Sequence, residues 1–248
     1  MKNIVALCPV HRRSDLVIEQ LLNYKKVFDG KITHILHPSQ EGRFIFLDAD
    51  FLSRADELSF MMTEQSAKTS WKCVLPAFIE ASSYIAKLKG IDFVYIHTDG
   101  DLFIKGEPHE YIVKNRLGYS GATPQASWNW PHYHSMLNDK RFFMMINDLG
   151  MKREDILVGR QEGAFFETDL WLKIIDTIKG YYADPYFDCE ADAWPLEEAL
   201  VPTLARFYSK GEHVRNLIKT KEISKEGGRD NDENVVNIDD IKAILGDP

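Results

Sequence analysis

Two short acidic motifs are the stretches of this chain best suited to carry chemistry. Residues 93 to 106 read Phe-Val-Tyr-Ile-His-Thr-Asp-Gly-Asp-Leu-Phe-Ile-Lys-Gly, so an apolar, β-branched and aromatic run ends abruptly in Asp99-Gly100-Asp101. Burying a carboxylate is costly unless it is paired or holds a metal. Asp99 and Asp101 are two apart and share one face of an extended chain; Gly100 permits a tight turn between them. Hard oxygens at this spacing suit Mn2+ or Mg2+, which also bind substrate phosphates. The pair is expected to act as the metal and diphosphate site; the alternative is a strand followed by a plain Asp-Gly turn. Phe44 to Asp50, Phe-Ile-Phe-Leu-Asp-Ala-Asp, offers a second strand-like run ending in D-x-D. Only two strands and one helix are expected before Asp48, whereas a complete nucleotide-binding half-sheet precedes Asp99. Asp99 and Asp101 are therefore preferred. Asp48 and Asp50 are expected either to cap the helix containing Leu58 to Met62 or to line a nucleobase pocket.

The elements that must position these carboxylates alternate between strand and helix. Ile4 to Cys8, closed by Pro9, reads as a central strand. Ser14-Asp15 offers an N-cap to a helix carrying Leu16, Ile18, Leu21, Leu22 and Val27. Ile32 to Leu36 and Phe44 to Leu47 read as the next two strands, and Val74 to Leu88 as a helix leading into a strand over Phe93 to His97. Such alternation implies a largely parallel sheet with helical crossovers. Ligands bind beyond the carboxyl ends of strands in these sheets, where Asp99 and Asp101 fall. Phe165 to Ile178 and Leu196 to Tyr208 read as further helices. Gly121 to Asp139 is loop-like and crowded with Trp128, Trp130, His132, Tyr133 and His134. Thr220 to Asn234 reads as a polar linker, followed by a short helix over Ile238 to Leu245.

Composition sets the frame. A chain of 248 residues with 44% hydrophobic and 27% charged residues is an ordinary globular protein with room for a large core. Its net charge of -8 argues against wholesale nucleic-acid binding. No apolar run approaches the roughly 18 residues that cross a bilayer, and the N-terminus begins on a strand without a signal-peptide pattern. Cys8, Cys73 and Cys189 are far apart and odd in number, as expected of reduced, buried thiols. A cytoplasmic location, with peripheral contact at the inner face of a membrane compatible, is the expectation.

Several separated segments, taken in order, resemble one family. Trp71-Lys72 through Ala81 and then Phe93 to Tyr111 resemble the core-2/I-branching type of β-1,6-N-acetylglucosaminyltransferase and its xylosyltransferase relatives. In that family a Trp precedes a helix, and a strand then ends in S-G-x-D-x-P-L; the matching residues here are Thr98 to Ile104. Gly159-Arg160-Gln161-Glu162-Gly163-Ala164-Phe165-Phe166 resembles the family's G-x-Q-W segment, and Trp194 to Leu204 its P-D-E-x-F-F-x-T-L helix. The resemblance covers roughly Asn3 to Tyr208. It implies a GT-A-like α/β fold: a mostly parallel central sheet flanked by helices, with a Rossmann-like donor half over about 1–106 and an acceptor half over about 107–220. It places Glu198 on the family's catalytic Glu and Glu197 on the neighbouring Asp. An inverting transferase needs such a carboxylate to take the acceptor's hydroxyl proton. Both residues also suit the first turn of a helix, where acidic groups complement the dipole. The family generally lacks a working D-x-D and neutralises the diphosphate with C-terminal basic residues. This chain has the full Asp99-Gly100-Asp101 and also His213, Arg215, Lys219 and Lys221. Either device would offset charge on a leaving nucleoside diphosphate.

The remaining candidates are supporting ones. His11 and Arg12, just after the first strand, are placed to meet phosphates. Trp128 and Trp130, with Glu162, are candidate acceptor contacts, since sugars stack their apolar faces on aromatic rings. The leading expectation is an inverting transfer of sugar from a nucleotide-diphosphate donor, with UDP as the expected nucleotide, to an oligosaccharide or lipid-linked glycan in surface polysaccharide assembly. Two alternatives stand. A sugar-nucleotide pyrophosphorylase would share the α/β sheet, but needs a Gly-rich loop after the first strand, and Cys8 to Arg13 contains no glycine. A non-catalytic carbohydrate-binding domain would keep the fold without the chemistry.

Overall fold

A computed structural model describes residues 2–69, 73–99, 101, 107–125, 132–182 and 194–217. The chain opens with β1 (Ile4–Val10), α1 (Ser14–Val27) and β2 (Ile32–Pro38). Three short helices follow, α2 (Arg43–Phe46), α3 (Ala49–Ser53) and α4 (Ala55–Leu58), then β3 (Phe60–Met62), α5 (Leu75–Ile85) and β4 (Phe93–Ile96). Next come α6 (Pro108–Asn115), α7 (Tyr133–Asn138), α8 (Lys140–Asp148), β5 (Phe165–Glu167), α9 (Thr168–Tyr182) and α10 (Leu196–Ser209).

The described strands form one five-stranded sheet in the order β3-β2-β1-β4-β5. All pairings are parallel except β4 with β5. The sheet is covered on both faces, as parallel sheets require. Side chains alternate along β1: Val5 and Leu7 pack in a cluster with α5, α8, α9 and α10, whereas Ile4, Ala6, Cys8 and Val10 face the other way. On that second face α1 contributes Val17, Leu21 and Tyr24. The expected α/β architecture, a mostly parallel sheet flanked by helices, is the one observed.

The order of strands fixes where a ligand can sit. From β1 the chain moves outward through β2 and β3, then returns to place β4 on the opposite side of β1. The carboxyl ends of β1 and β4 flank this switch point, the usual ligand position in open α/β sheets.

Three elements differ from expectation. Phe44 to Leu47 is not a strand: Arg43–Phe46 is a helical turn with Phe46 buried and Phe44 75% exposed. A strand there would have to bury alternate side chains on a sheet, and β2 already pairs with β3 on that side. Phe165 to Ile178 divides: its first residues form β5, antiparallel to β4, and helix begins only at Thr168. Ser14 is the first helical residue of α1, and its N-cap is Arg13 in the left-handed region (φ 60°) with no side-chain cap.

One connection ties α10 to the preceding segment. Pro202 lies inside α10 and has no N–H to give to the carbonyl four residues earlier. That carbonyl, on Glu198, instead accepts a hydrogen bond from Gly159 N at 2.8 Å. One turn on, Thr203 Oγ accepts from Leu157 N at 2.9 Å and donates to Leu157 O at 3.0 Å. Gly159 fits only because it lacks a Cβ, which would stand 2.1 Å from Ser120 O. Gly159→Ala is expected to destabilise the protein by about 1–3 kcal/mol, lowering Tm by roughly 5 °C for a domain of this size. Thermal unfolding followed by circular dichroism checks this.

Candidate functional site

β4 delivers Thr98, Asp99 and Asp101 to the switch point, with both carboxylates half-buried. Asp99 Oδ2 accepts from the backbone N–H of His11 at 3.2 Å, so β4's carboxylate holds the loop leaving β1. Asp101 turns back on its own turn: its Oδ2 accepts from Thr98 N at 2.8 Å and Thr98 Oγ1 at 3.2 Å. Gln20, buried on α1, donates from Nε2 to Thr98 O at 2.5 Å and Asp101 O at 2.7 Å. Gly100 and residues 102–106 lie outside the described residues.

A third and a fourth carboxylate approach from other elements. Gly163 N donates to Ile96 O, and Ile96 N to Ala164 O, both at 2.8 Å, extending the antiparallel run of β5 beside the end of β4. Gly163 adopts φ +77°, a left-handed turn that glycine enters at low cost. The preceding residue, Glu162, is thereby held close enough to raise the proton affinity of Asp101. Glu197, at the start of α10, is 6% exposed and has a buried Oε2 without a hydrogen-bond partner among the described residues.

These groups repel one another in a poorly solvated place. Burial, reinforced by Glu162 and Asp99, pushes Asp101 up to about 7 against the opposing hydrogen bonds from Thr98. Burial likewise raises Asp99, offset in part by the backbone N–H groups of His11 and Arg12. Burial pushes Glu197 up to about 8, with Glu198 and Glu162 adding to the rise and its own N–H and that of Val74 opposing it. An excess of negative charge at the carboxyl end of a sheet is where a divalent cation would be stabilised. The donor chemistry of Asp99 and Asp101 fits Mn2+ or Mg2+. No group of three or more His, Cys, Asp or Glu side chains is arranged as a ready metal cage among the described residues. Mg2+ commonly relies on one or two carboxylates plus waters and substrate phosphates.

The other expected residues distribute as follows. His11 is half-buried at the same end of the sheet, with Nδ1 2.6 Å from Ser39 Oγ. Arg12 is exposed, with Glu41 at 3.9 Å. Arg215 is exposed on the segment that follows α10. That segment returns to the site: Asn216 Nδ2 donates to Glu162 O at 2.8 Å and Leu217 N to Gly163 O at 3.0 Å. Trp71, Trp128, Trp130, Cys189, Lys219, Lys221 and the linker and terminal helix over 221–248 lie outside the described residues.

The competing pair is elsewhere. Asp48 Oδ1 accepts from Asp50 N at 3.0 Å and Phe51 N at 3.3 Å, an exposed N-cap of α3. It caps Ala49–Ser53 and not a helix containing Leu58 to Met62; Leu58 ends α4, and Phe60–Met62 is strand β3. Of the adjacent pair at the start of α10, Glu197 is buried and Glu198 half-buried. Glu197 is buried on α10 with Val201 and Leu204, four and seven residues on.

Two buried histidines back the motif. His97 Nδ1 is 3.2 Å from the Thr98 carbonyl and must donate to it, which leaves His97 Nε2 to accept from His34 Nδ1 at 3.1 Å. Burial holds His97 neutral, down to about 3, and lowers His34 as well. Residue types alone did not single out Gln20, His97 or Thr98. The available signal was Gln20, a polar side chain in register with Val17, Leu21 and Tyr24 on the buried stripe of α1.

No family model and no curated protein matches the chain. Among solved structures, the chain is similar to the mannosyltransferase PcManGT from Pyrobaculum calidifontis in complex with GDP-Man and Mn2+. The identity is 14% and the TM-score 0.44, over 86% of this chain and 54% of that one. This chain thus spans about half the length of that structure. A likeness of this degree leaves the functional case to the residues themselves.

The raised proton affinity of Glu197 has a sign that stability measurements detect. An acid whose folded pKa is above its unfolded value favours the fold when protonated. Its contribution is complete below about 4.5, and is lost as pH rises through about 8. Glu197→Gln mimics the protonated form. Its Tm is expected to match wild type near pH 5 and exceed it near pH 8.5, by an amount on the order of a few kcal/mol in stability. Parallel Tm curves across that range would show that Glu197 does not titrate in this way.

Proposed function

We propose that this chain is an inverting glycosyltransferase of GT-A-like fold that takes a sugar from a nucleotide-diphosphate donor, expected to be a UDP-sugar. The acceptor is a glycan hydroxyl, and surface polysaccharide assembly on the cytoplasmic side of a membrane is the proposed setting. One observation supports this reading: Asp99 and Asp101 stand on the turn that ends β4 with Glu162 from a second segment in electrostatic reach of Asp101, and Glu197 from a third in reach of Glu162. The resemblance of Thr98 to Ile104 and of Trp194 to Leu204 to the core-2/I-branching enzymes supports it from the sequence side. Among the described residues no helix is long and apolar enough to cross a membrane.

Asp99 and Asp101 would hold the divalent ion. When bound, that ion supplies positive charge against the leaving diphosphate. The acceptor oxygen forms its bond to the anomeric carbon as the bond from that carbon to the diphosphate oxygen breaks and its electron pair leaves with the nucleotide. The acceptor's proton passes to a carboxylate. Glu198 is the candidate by resemblance. Glu197 beside it would serve as the base only in its ionised form, which burial confines to pH above about 8. Glu162, coupled electrostatically to both Asp101 and Glu197, is the candidate to orient the acceptor. Arg215, on the returning segment beside Glu162, is the candidate for additional charge neutralisation.

The pyrophosphorylase alternative is disfavoured by the loop after β1. It contains no glycine, whereas that class needs a Gly-rich loop there to admit the triphosphate closely. The carbohydrate-binding alternative predicts no turnover.

The test is incubation with a panel of nucleotide sugars, following release of the nucleoside diphosphate with Mn2+ and with EDTA. Release is expected with Mn2+ and is expected to be lost in Asp101→Ala. Glu198→Gln is expected to slow the chemical step by a factor on the order of a hundred or more with little change in donor affinity, and Glu197→Gln to do less. Absence of release from every donor, with sugar binding retained, would favour the binding domain.

A further inference from the structure

Gln20 is a second-row group with a geometry that its place on α1 does not require. It is 1% exposed and sits among the apolar side chains Val17, Leu21 and Tyr24. A buried amide is costly unless its hydrogen bonds are made. Its Nε2 spends both donors on one short turn, to Thr98 O at 2.5 Å and Asp101 O at 2.7 Å. Its Oε1 faces the Cys8 thiol at 3.9 Å, which fixes the amide so that the NH2 points at the turn. Two further donors, His97 Nδ1 at 3.2 Å and Asp101 N at 3.4 Å, reach the same Thr98 carbonyl. From the opposite side, Thr98 N and Oγ1 hold the Asp101 carboxylate.

We infer that Gln20 is a positioning residue that clamps the Thr98–Asp101 turn and so presents its carboxylates to a divalent cation and the diphosphate of a nucleotide. The inference rests on the proposed donor site. The physical reason is local repulsion. Asp99, Asp101 and Glu162 tend to push the turn open, and its own bonds are few and short-range. An amide anchored on a long helix and joined to both carbonyls resists that opening, as the outer partners of metal-binding carboxylates do. Gln20 touches neither ion nor substrate; it acts through Asp101.

Two measurements on the full chain test it, using Gln20→Met, which keeps length and apolar packing but removes both donors, and Gln20→Leu as a second variant. The first is hydrogen exchange of the turn's amides without ligand. The amides of Thr98 and Asp101 are expected to exchange at least tenfold faster in the variants, while those of β1 and α5 are unchanged. Unchanged exchange at the turn would overturn the clamp whatever the protein's activity. The second is Mn2+ binding with UDP present, read by the electron paramagnetic resonance signal of free Mn2+. Wild type is expected to bind, and Gln20→Met to bind at least tenfold more weakly while its Tm stays within a few degrees. Wild-type binding with equal affinity in Gln20→Met would overturn the positioning role and leave the donor site standing. No Mn2+ binding by wild type would overturn the metal site and this role together.

Discussion

The constraint on which the rest of this structure depends is the delivery of negative charge into a poorly solvated sheet end. β4 is buried along its whole length, and the turn that follows it carries Asp99 and Asp101 at the point where the strand order reverses. Carboxylates in such a position are destabilising unless other groups answer them. Here the answers are largely backbone N–H groups and amides: His11 N on Asp99, Thr98 N on Asp101 and Gln20 on the turn's carbonyls. They orient the carboxylates without cancelling their charge. Glu162 and Glu197 then add charge of the same sign. An arrangement that gives up stability in order to concentrate carboxylates fits a role in holding a cation and moving a proton better than a role in folding.

The second half of the chain serves that end through three backbone junctions. Gly163 and Ala164 bond to Ile96, which sets Glu162 beside Asp101. Gly159 takes up the Glu198 carbonyl that Pro202 leaves without its helical partner, which ties the start of α10 to the same segment. Asn216 and Leu217 close over the Glu162–Gly163 turn from the far side. Glu162 and the two candidate bases therefore belong to one bonded unit, and a shift in α10 would be felt at Glu162.

Much of this was legible in the residues because the strongest patterns report burial. Ile4 to Cys8 and Phe93 to Ile96 are continuous apolar runs of strand length, Ile32 to Leu36 is a mainly apolar one interrupted by Thr33 and His34, and each lies among the parallel strands. Leu196 to Tyr208 is apolar over more than half its helix and packs accordingly. Phe44 to Leu47 looked equally strand-like because a four-residue apolar run carries no period; the exposure of Phe44 and the N-cap at Asp48 are tertiary facts. Phe165–Glu167 was absorbed into the following helix since three residues are too few to display alternation, although Thr168-Asp169 is an ordinary helix start. The choice between Glu197 and Glu198 turned on which side of α10 faces the core, and in a helix buried nearly all round the sequence period is weak. Gln20 was legible in principle: a lone amide on an apolar stripe must find partners, and it found them on the turn that carries the motif.

The central claim, that the Asp99–Asp101 end of β4 is a cation and nucleotide site, is most directly tested by paramagnetic broadening of backbone amide resonances on titration with Mn2+ and UDP. The account predicts loss of signal centred on Thr98 and Asp101, extending to His11 and Glu162 and sparing Asp48 and Asp50. Broadening centred on Asp48 and Asp50, or spread evenly over acidic surface residues, would contradict it.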